Sequence, residues 1–376
     1  MTKLFRALAA LLVVFAALQA EAQRTPMVVA YLFPQDAKLT PDQVNGRALT
    51  RINYAFANIE NGRMVTGFKY DAENFATLNA LKKENPSLTV LVSVGGWLWS
   101  GGFTDAALTT ESRTVFIDSV MDFLDRYQLD GLDIDWEFPG DPGAGHKFRA
   151  EDKQNFTLLL AELRKRFDDE TKRSGKRLYL TFAAGSGPEF VANTEMARIA
   201  RIVDTVNLMA YDFYEPGSAP NTGHHAPLYN NPADPHRASS DISVRVLEDA
   251  GVPAEKILLG LPFYGHVWGE VPATAHGLFQ PGKQIPNAFA PYSMIVSTML
   301  GHGFTRYWDD VSKVPYLYNA DKKIFVSYED PESIAVKGKY VLKHKLGGVM
   351  FWSYEADSNG ALLGAVDAAL GLKVTQ

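Results

Sequence analysis

The stretch Asp130-Gly131-Leu132-Asp133-Ile134-Asp135-Trp136-Glu137-Phe138-Pro139 alternates hydrophobe and acid without a break from Leu132 to Phe138. Side chains of a strand point to opposite faces in turn, so Asp133, Asp135 and Glu137 share one face while Leu132, Ile134, Trp136 and Phe138 share the other. A half-exposed strand with a solvated acidic face would satisfy that alternation by itself. The surrounding chain argues otherwise. Short β-branched or aromatic runs recur at 27–33, 51–59, 89–97, 131–138, 177–185, 203–213, 257–266 and 347–354, and the acidic run is the fourth of these eight. Helix-like stretches at 70–85, 110–127, 151–172, 189–201, 239–250 and 331–343 separate most of them, with a last one at 359–370. Strand alternating with helix reads as parallel βα units, and eight such units close a barrel. The predicted fold is therefore α/β, an eight-stranded parallel (β/α) barrel. The spacing breaks once, between the seventh and eighth strands, where 267–328 carries short strand-like pieces such as 316–318 and 323–328 and reads as a small α+β insertion. Barrel chemistry sits at the carboxyl ends of the strands, so an insertion leaving the seventh strand is expected to wall the cleft.

In such a barrel the apolar face of the fourth strand packs under the helices and the three carboxyl groups point toward the axis. Barrel interiors normally hold branched aliphatic residues. Like charges stacked there raise one another's pKa and leave at least one group protonated near neutral pH, which is what a general acid requires. A hard-cation site on the two aspartates is the competing chemistry, but nothing else in the chain supplies a phosphate cradle for one. The eight histidines are scattered, and His224-His225, the only close pair, reads as loop hydrogen bonding. No cofactor and no metal is expected.

The chain of 376 residues opens with Lys3 and Arg6 beside an apolar run from Ala7 to Leu18, followed by Ala20-Glu21-Ala22. That pattern predicts a signal peptide over 1–22 and a catalytic barrel over 23–376, secreted or periplasmic. The apolar run is too short for a membrane span, which takes about 20 residues. There is no cysteine, which removes disulfides, thiolate metal sites and a thiol nucleophile. The formal net charge is −6 and grows more negative once Lys3, Arg6 and Glu21 leave with the leader, so nucleic acids and other polyanions are poor partners. Aromatic residues make up 12%, enough to supply stacking surfaces for sugar rings beyond the core.

Asp130, Asp133, Asp135 and Glu137 match the four-acid signature Asp-x-x-Asp-x-Asp-x-Glu of glycoside hydrolase family 18, the chitinases and their relatives, which the chain resembles over nearly its whole length after the leader. Ser93-Val94-Gly95-Gly96 and Met209-Ala210-Tyr211-Asp212 match two further motifs of that family, and 222–229 is similar to its loop after the sixth strand. The resemblance implies retaining hydrolysis of β-1,4 bonds in chitin or chito-oligosaccharides, with the substrate's acetamido oxygen as nucleophile, outside the two-carboxylate scheme. It implies that Glu137 is the acid and then the base, that Asp135 orients the acetamido group, that Asp133 shares a proton with Asp135, and that Tyr211 donates its hydroxyl to the substrate. Ser93 and Asp130 are implied supports, and Asp212 a substrate or network contact. Trp352 is similar to the family's ring beneath the sugar at the scissile bond. Trp97 and Trp99 are candidates for sugars further along, with Tyr31, Phe56, Tyr264 and Met209 as inner wall. Two departures stand out: His266 occupies a position where many relatives carry arginine, and the first strand reads Ala30-Tyr31-Leu32-Phe33 without the common Gly-Tyr start. An endo-β-N-acetylglucosaminidase acting on N-linked glycans would share the same acids, and a chitin-binding lectin would share the fold.

Overall fold

The computed structural model describes residues 25–372, so the expected leader over 1–22 lies outside the described residues. Eight parallel strands form the centre: β1 (Met27–Leu32), β2 (Arg51–Glu60), β3 (Thr89–Gly95), β4 (Gly131–Asp135), β5 (Tyr179–Ala184), β6 (Thr205–Leu208), β7 (Ile257–Pro262) and β8 (Gly348–Trp352). Each pairs with the next, and β1 pairs with both β2 and β8, which closes the barrel. Alternation on β4 is realised as expected up to Asp135. Leu132 and Ile134 are fully buried in the layer between barrel and helices, together with Phe116 and Phe156 from the helices Thr110–Tyr127 and Asp152–Ser174. Trp136 continues that outward set, stacked on Phe103 at 5.2 Å and edge-on to Phe156 at 5.4 Å. The helix Thr110–Tyr127 begins where the Thr109 hydroxyl accepts from the Ser112 N–H, satisfying one of the free donors of its first turn.

The barrel interior is unusually polar. A small apolar cluster of Val29, Tyr31, Leu258 and Met350 occupies part of it. At the amino-terminal floor the buried Arg51 guanidinium donates to Thr205 Oγ1 at 3.1 Å and lies 5.2 Å from the Tyr179 ring centre. Above that floor the strand register sets Ser93 beside Asp133, Gly95 beside Asp135 and Asp133 beside Thr181.

Several strands stop sooner than their β-like composition suggests, because side chains above the barrel rim have no neighbouring strand to pair with. β3 ends at Gly95, so Trp97 and Trp99 stand on the following loop, and β4 ends at Asp135. β6 ends at Leu208 rather than running to residue 213, since the Ala210 N–H turns back to Leu208 O and Asp212 adopts φ of 59°. The expected seventh strand over 257–266 divides at Phe263, whose N–H donates to Trp352 O at 2.8 Å. Tyr264–Gly269 then enters a second, antiparallel sheet, ordered Lys283–Pro291, Tyr264–Gly269, Ile324–Ser327, Val314–Asn319, Thr305–Asp309. Tyr264 and His266 thus belong to that sheet and not to the barrel. Its own core holds Trp268, Tyr316, Tyr318 and Phe325. The helix read over 189–201 is two, Pro188–Ala192 and Met196–Ile202, with the Thr194 hydroxyl bonded to Phe190 O between them. No described helix is long and apolar enough to cross a membrane.

Candidate active site

Asp133 lies fully buried on the barrel axis and accepts four hydrogen bonds. Tyr31 Oη and Ser93 Oγ donate to Oδ2, both at 2.8 Å, while Thr181 Oγ1 and Asn207 Nδ2 donate to Oδ1 at 2.5 and 2.9 Å. Burial raises its pKa and these donors pull it back, and four donors fit a carboxylate better than an acid. With all four taken, sharing a proton with Asp135 requires a donor to give way. Asp135 stands one step higher, 4% exposed, with Oδ1 unpartnered. Burial first, then the charges of Glu137 and Asp133, push its pKa well above the ordinary carboxylate range. Glu137 opens onto the cleft and is pushed up to about 8, by burial first and then by Asp212 and Glu215. Glu137 therefore bears its proton at neutral pH.

Backbone contacts from β3 and its loop hold this ladder. The Gly96 N–H donates to Asp135 O at 2.8 Å. Gly95 has φ of 106°, and a Cβ there would meet Asp135 O at 2.2 Å, so the close approach of the two strands needs glycine. Ser100 completes the clamp: its hydroxyl reaches Gly96 O and Asp135 O at 2.8 and 2.9 Å and accepts from the Glu137 N–H at 2.9 Å. Asp130 sits away from the cleft, accepting from the Val90 N–H at 2.8 Å and pairing with Lys82 at 2.5 Å. Ser93 likewise acts only through Asp133.

A cleft of about 760 Å³ lies over the acids. Of the residues singled out in the sequence, Glu137, Asp135, Tyr211, Asp212, Met209, Tyr264, Tyr31, Phe56, Trp352, Trp97 and Trp99 all line it, whereas Asp133, Ser93 and Asp130 do not. Trp352 stacks on Phe56 at 5.5 Å and 20°, meets Phe33 at 5.4 Å, and lines the cleft. Trp97 is 52% exposed and meets Phe138 edge-on at 5.5 Å. Trp99 rests on Phe68 at 5.1 Å. Phe138 does both: half-buried, it packs against the core that holds Leu132, Ile134 and Trp136, and it also lines the cleft. Tyr211 is pushed well above its ordinary pKa by burial and then by Asp212, Asp135 and Glu137, so its hydroxyl remains a donor.

Asp212 forms the wall opposite. Tyr264 Oη donates to its Oδ1 at 2.6 Å, His266 Nε2 lies 2.8 Å from the same oxygen and His225 Nδ1 3.5 Å. Burial alone would raise Asp212, yet the His225 and His266 rings hold it far below the usual range. Burial pushes His225 down to about 4. The adjacent histidines point apart, His224 Nε2 bonding Asp309 Oδ2 at 3.1 Å on the far side of the loop. Sequence reasoning missed Ser100, Glu215, Phe33, Phe68 and Gln35. The run Tyr211-Asp212-Phe213-Tyr214-Glu215 carried a signal for Glu215, an acid closely following the motif, whereas Ser100 gave none.

An acid held protonated at the floor of an aromatic-lined cleft, at the carboxyl ends of a closed βα barrel, defines a barrel glycosidase site. Residues 27–357 match the family described as "Glycosyl hydrolases family 18", and the chain belongs to that family. It is 41% identical to Chitinase A1 of Niallia circulans over 333 residues, which is 83% of this chain and 47% of that protein, so the chain spans about half the length of that relative. Chitotriosidase-1 of Mus musculus is 35% identical over 84% of this chain and 69% of its own. Among solved structures, a family 18 N-acetylglucosaminidase from Paenibacillus barengoltzii superposes with a TM-score of 0.84 at 39% identity, covering 92% of this chain and 99% of that one.

Proposed function

We propose that this protein is a secreted or periplasmic retaining chitinase that hydrolyses β-1,4 bonds between N-acetylglucosamine units with the substrate's acetamido group as nucleophile. The observation that carries the reading is Glu137, with a pKa near 8, beside a second buried acid beneath the aromatic cleft. Glu137 protonates the glycosidic oxygen, worth about 10² to 10⁴-fold in rate, and then takes a proton from the incoming water. Asp135 and the Tyr211 hydroxyl hold the acetamido group so that its oxygen attacks the anomeric carbon from the opposite face. Ordering the nucleophile on the substrate itself converts the step into an intramolecular one. Trp352 forms the floor under the sugar at the cleaved bond, with Trp97 and Trp99 placed for sugars further along. Asp133 acts on Asp135 from below through its charge, and Ser93 and Asp130 act through the barrel.

Turnover of a fluorogenic chitobioside, with the products of a chitin oligomer followed by proton NMR from the moment of mixing, tests the reading. The β-anomer is expected first, with a matched cello-oligomer left intact. An initial α-anomer, or equal cleavage of the cello-oligomer, would refute substrate assistance. Release of N-linked glycan from a glycoprotein without cleavage of chitin oligomers would move the protein to the endo-β-N-acetylglucosaminidases. Binding without turnover would make it a lectin. The leader predicts export, and mass determination of the exported chain with an N-terminus at Gln23 checks it.

A further inference from the structure

The Asp212 wall holds more donor atoms than a substrate contact needs. One nitrogen each from His225 and His266 and one oxygen from Asp212 all lie within 4.8 Å of one another. His225 is fully buried, its Nε2 has no hydrogen-bond partner and its Nδ1 has only the long contact to Asp212. A buried imidazole so poorly bonded carries a desolvation cost, and orphaned polar groups of this kind commonly mark a site for a ligand. Its Nδ1 lies 3.5 Å from Asp212 Oδ1, and the His266 Nε2 lies 2.8 Å from that oxygen.

We propose that Asp212, His225 and His266 form a site for a borderline divalent transition metal, zinc or copper, at the wall of the cleft. Zinc bonds to nitrogen and carboxylate oxygen at about 2.0–2.1 Å, which sets tetrahedral ligands roughly 3.4 Å apart. The 2.8 and 3.5 Å separations from the Asp212 oxygen bracket that spacing, and all three donor atoms lie within 4.8 Å of one another. Two imidazoles and one carboxylate suit zinc and copper and are poor ligands for calcium or magnesium, which prefer all-oxygen shells. The backbone is anchored on both sides, by the His225 N–H to Ser327 Oγ at 2.9 Å and by His266 within its antiparallel sheet. Of the three donors, Asp212 lines the cleft while His225 and His266 are buried behind it. A metal there sets positive charge beside the group whose negative charge helps keep Glu137 protonated.

The test measures binding directly and so stands whether or not the chitinase reading holds. The full chain, freed of metal by a chelator and dialysed, is titrated with zinc in a calorimeter. One zinc per chain is expected. Removing a ligand should weaken binding by at least the ~10 to 100-fold that loss of an outer-shell partner costs, so His266→Gln and His225→Phe are both expected to do so. Copper in place of zinc should give an electron paramagnetic resonance spectrum with coupling to two imidazole nitrogens. A zinc-soaked crystal supplies an anomalous-scattering measurement that needs no variant, and its peak is expected among these three side chains. No saturable binding, unchanged affinity in the folded variants, or a peak elsewhere would overturn the proposal.

Discussion

Replacing Glu137 by glutamine removes a titrating group at the point where the protein spends stability on chemistry. The carboxyl group has an ordinary value of 4.5 and is raised to about 8 in the folded chain. A carboxyl group raised on folding binds its proton more tightly in the native state. Its contribution is neutral below the unfolded value, becomes unfavourable as pH rises above that value, and reaches its limit once pH passes the folded value. At pH 7 the unfolded group is ionised and the folded one is not, a gap of ~2.5 pH units above the unfolded value, or about 3 kcal/mol at 1.36 kcal/mol per unit. Glutamine keeps the shape of the protonated acid and does not titrate. Glu137→Gln should therefore match the wild type in stability near pH 4.5 and exceed it by up to about 3 kcal/mol at pH 7. Unfolding entropy near 2.1 cal/mol/K per residue turns that into roughly 4 °C in Tm for a chain of this size. Thermal unfolding of both proteins at pH 4.5, 7 and 9 measures the gap, while kcat/KM of the wild type on a chitobioside should fall about tenfold per unit above pH 8. A stability gap that does not change with pH, or wild-type activity sustained to pH 10, would refute the electrostatic argument.

Two substitutions probe the rest of the site. Trp352→Ala should raise KM and lower kcat together on a chitin trimer, since the ring that stacks on Phe56 positions the sugar over the acids; steady-state kinetics that leave both constants unchanged would return Trp352 to a packing role. Ser100→Ala leaves the Glu137 N–H without its partner, a loss of about 1–3 kcal/mol, and should lower kcat about tenfold or more and shift the alkaline limb while leaving the fold intact; Ser100→Thr, which keeps the hydroxyl, should restore most of the rate.

The barrel was legible because each of its strands is a short run of β-branched or aromatic residues, and because helix-period stretches separate most of them. The acid ladder was legible because alternation places Asp133 and Asp135 on one face whatever the neighbours are. What escaped depended on chain that is distant in sequence. Ser100 reaches Glu137 across 37 residues, and only the folding of the loop after β3 brings them together. Phe138 packs against the helix-side core as alternation implies, but its share in the cleft lining was not legible. Tyr264 lines the cleft as read, but it was placed on the seventh barrel strand, whereas it stands on the second sheet and its hydroxyl lands on Asp212. For Ser100 and Tyr264, hydrogen bonding between elements, rather than local propensity, decided where the side chain went.

The division at Phe263 has a consequence for anyone recombining this chain with its relatives. The second sheet looks like a module that could be exchanged, but its first strand brings Tyr264 and His266 to the Asp212 carboxylate that faces Glu137. A graft cut after Gly269 would leave the host's acid–base balance in place and change only the outer wall. One cut at Phe263 would transplant the donor's two Asp212 contacts along with the wall, and with them the pH range over which the chimaera works.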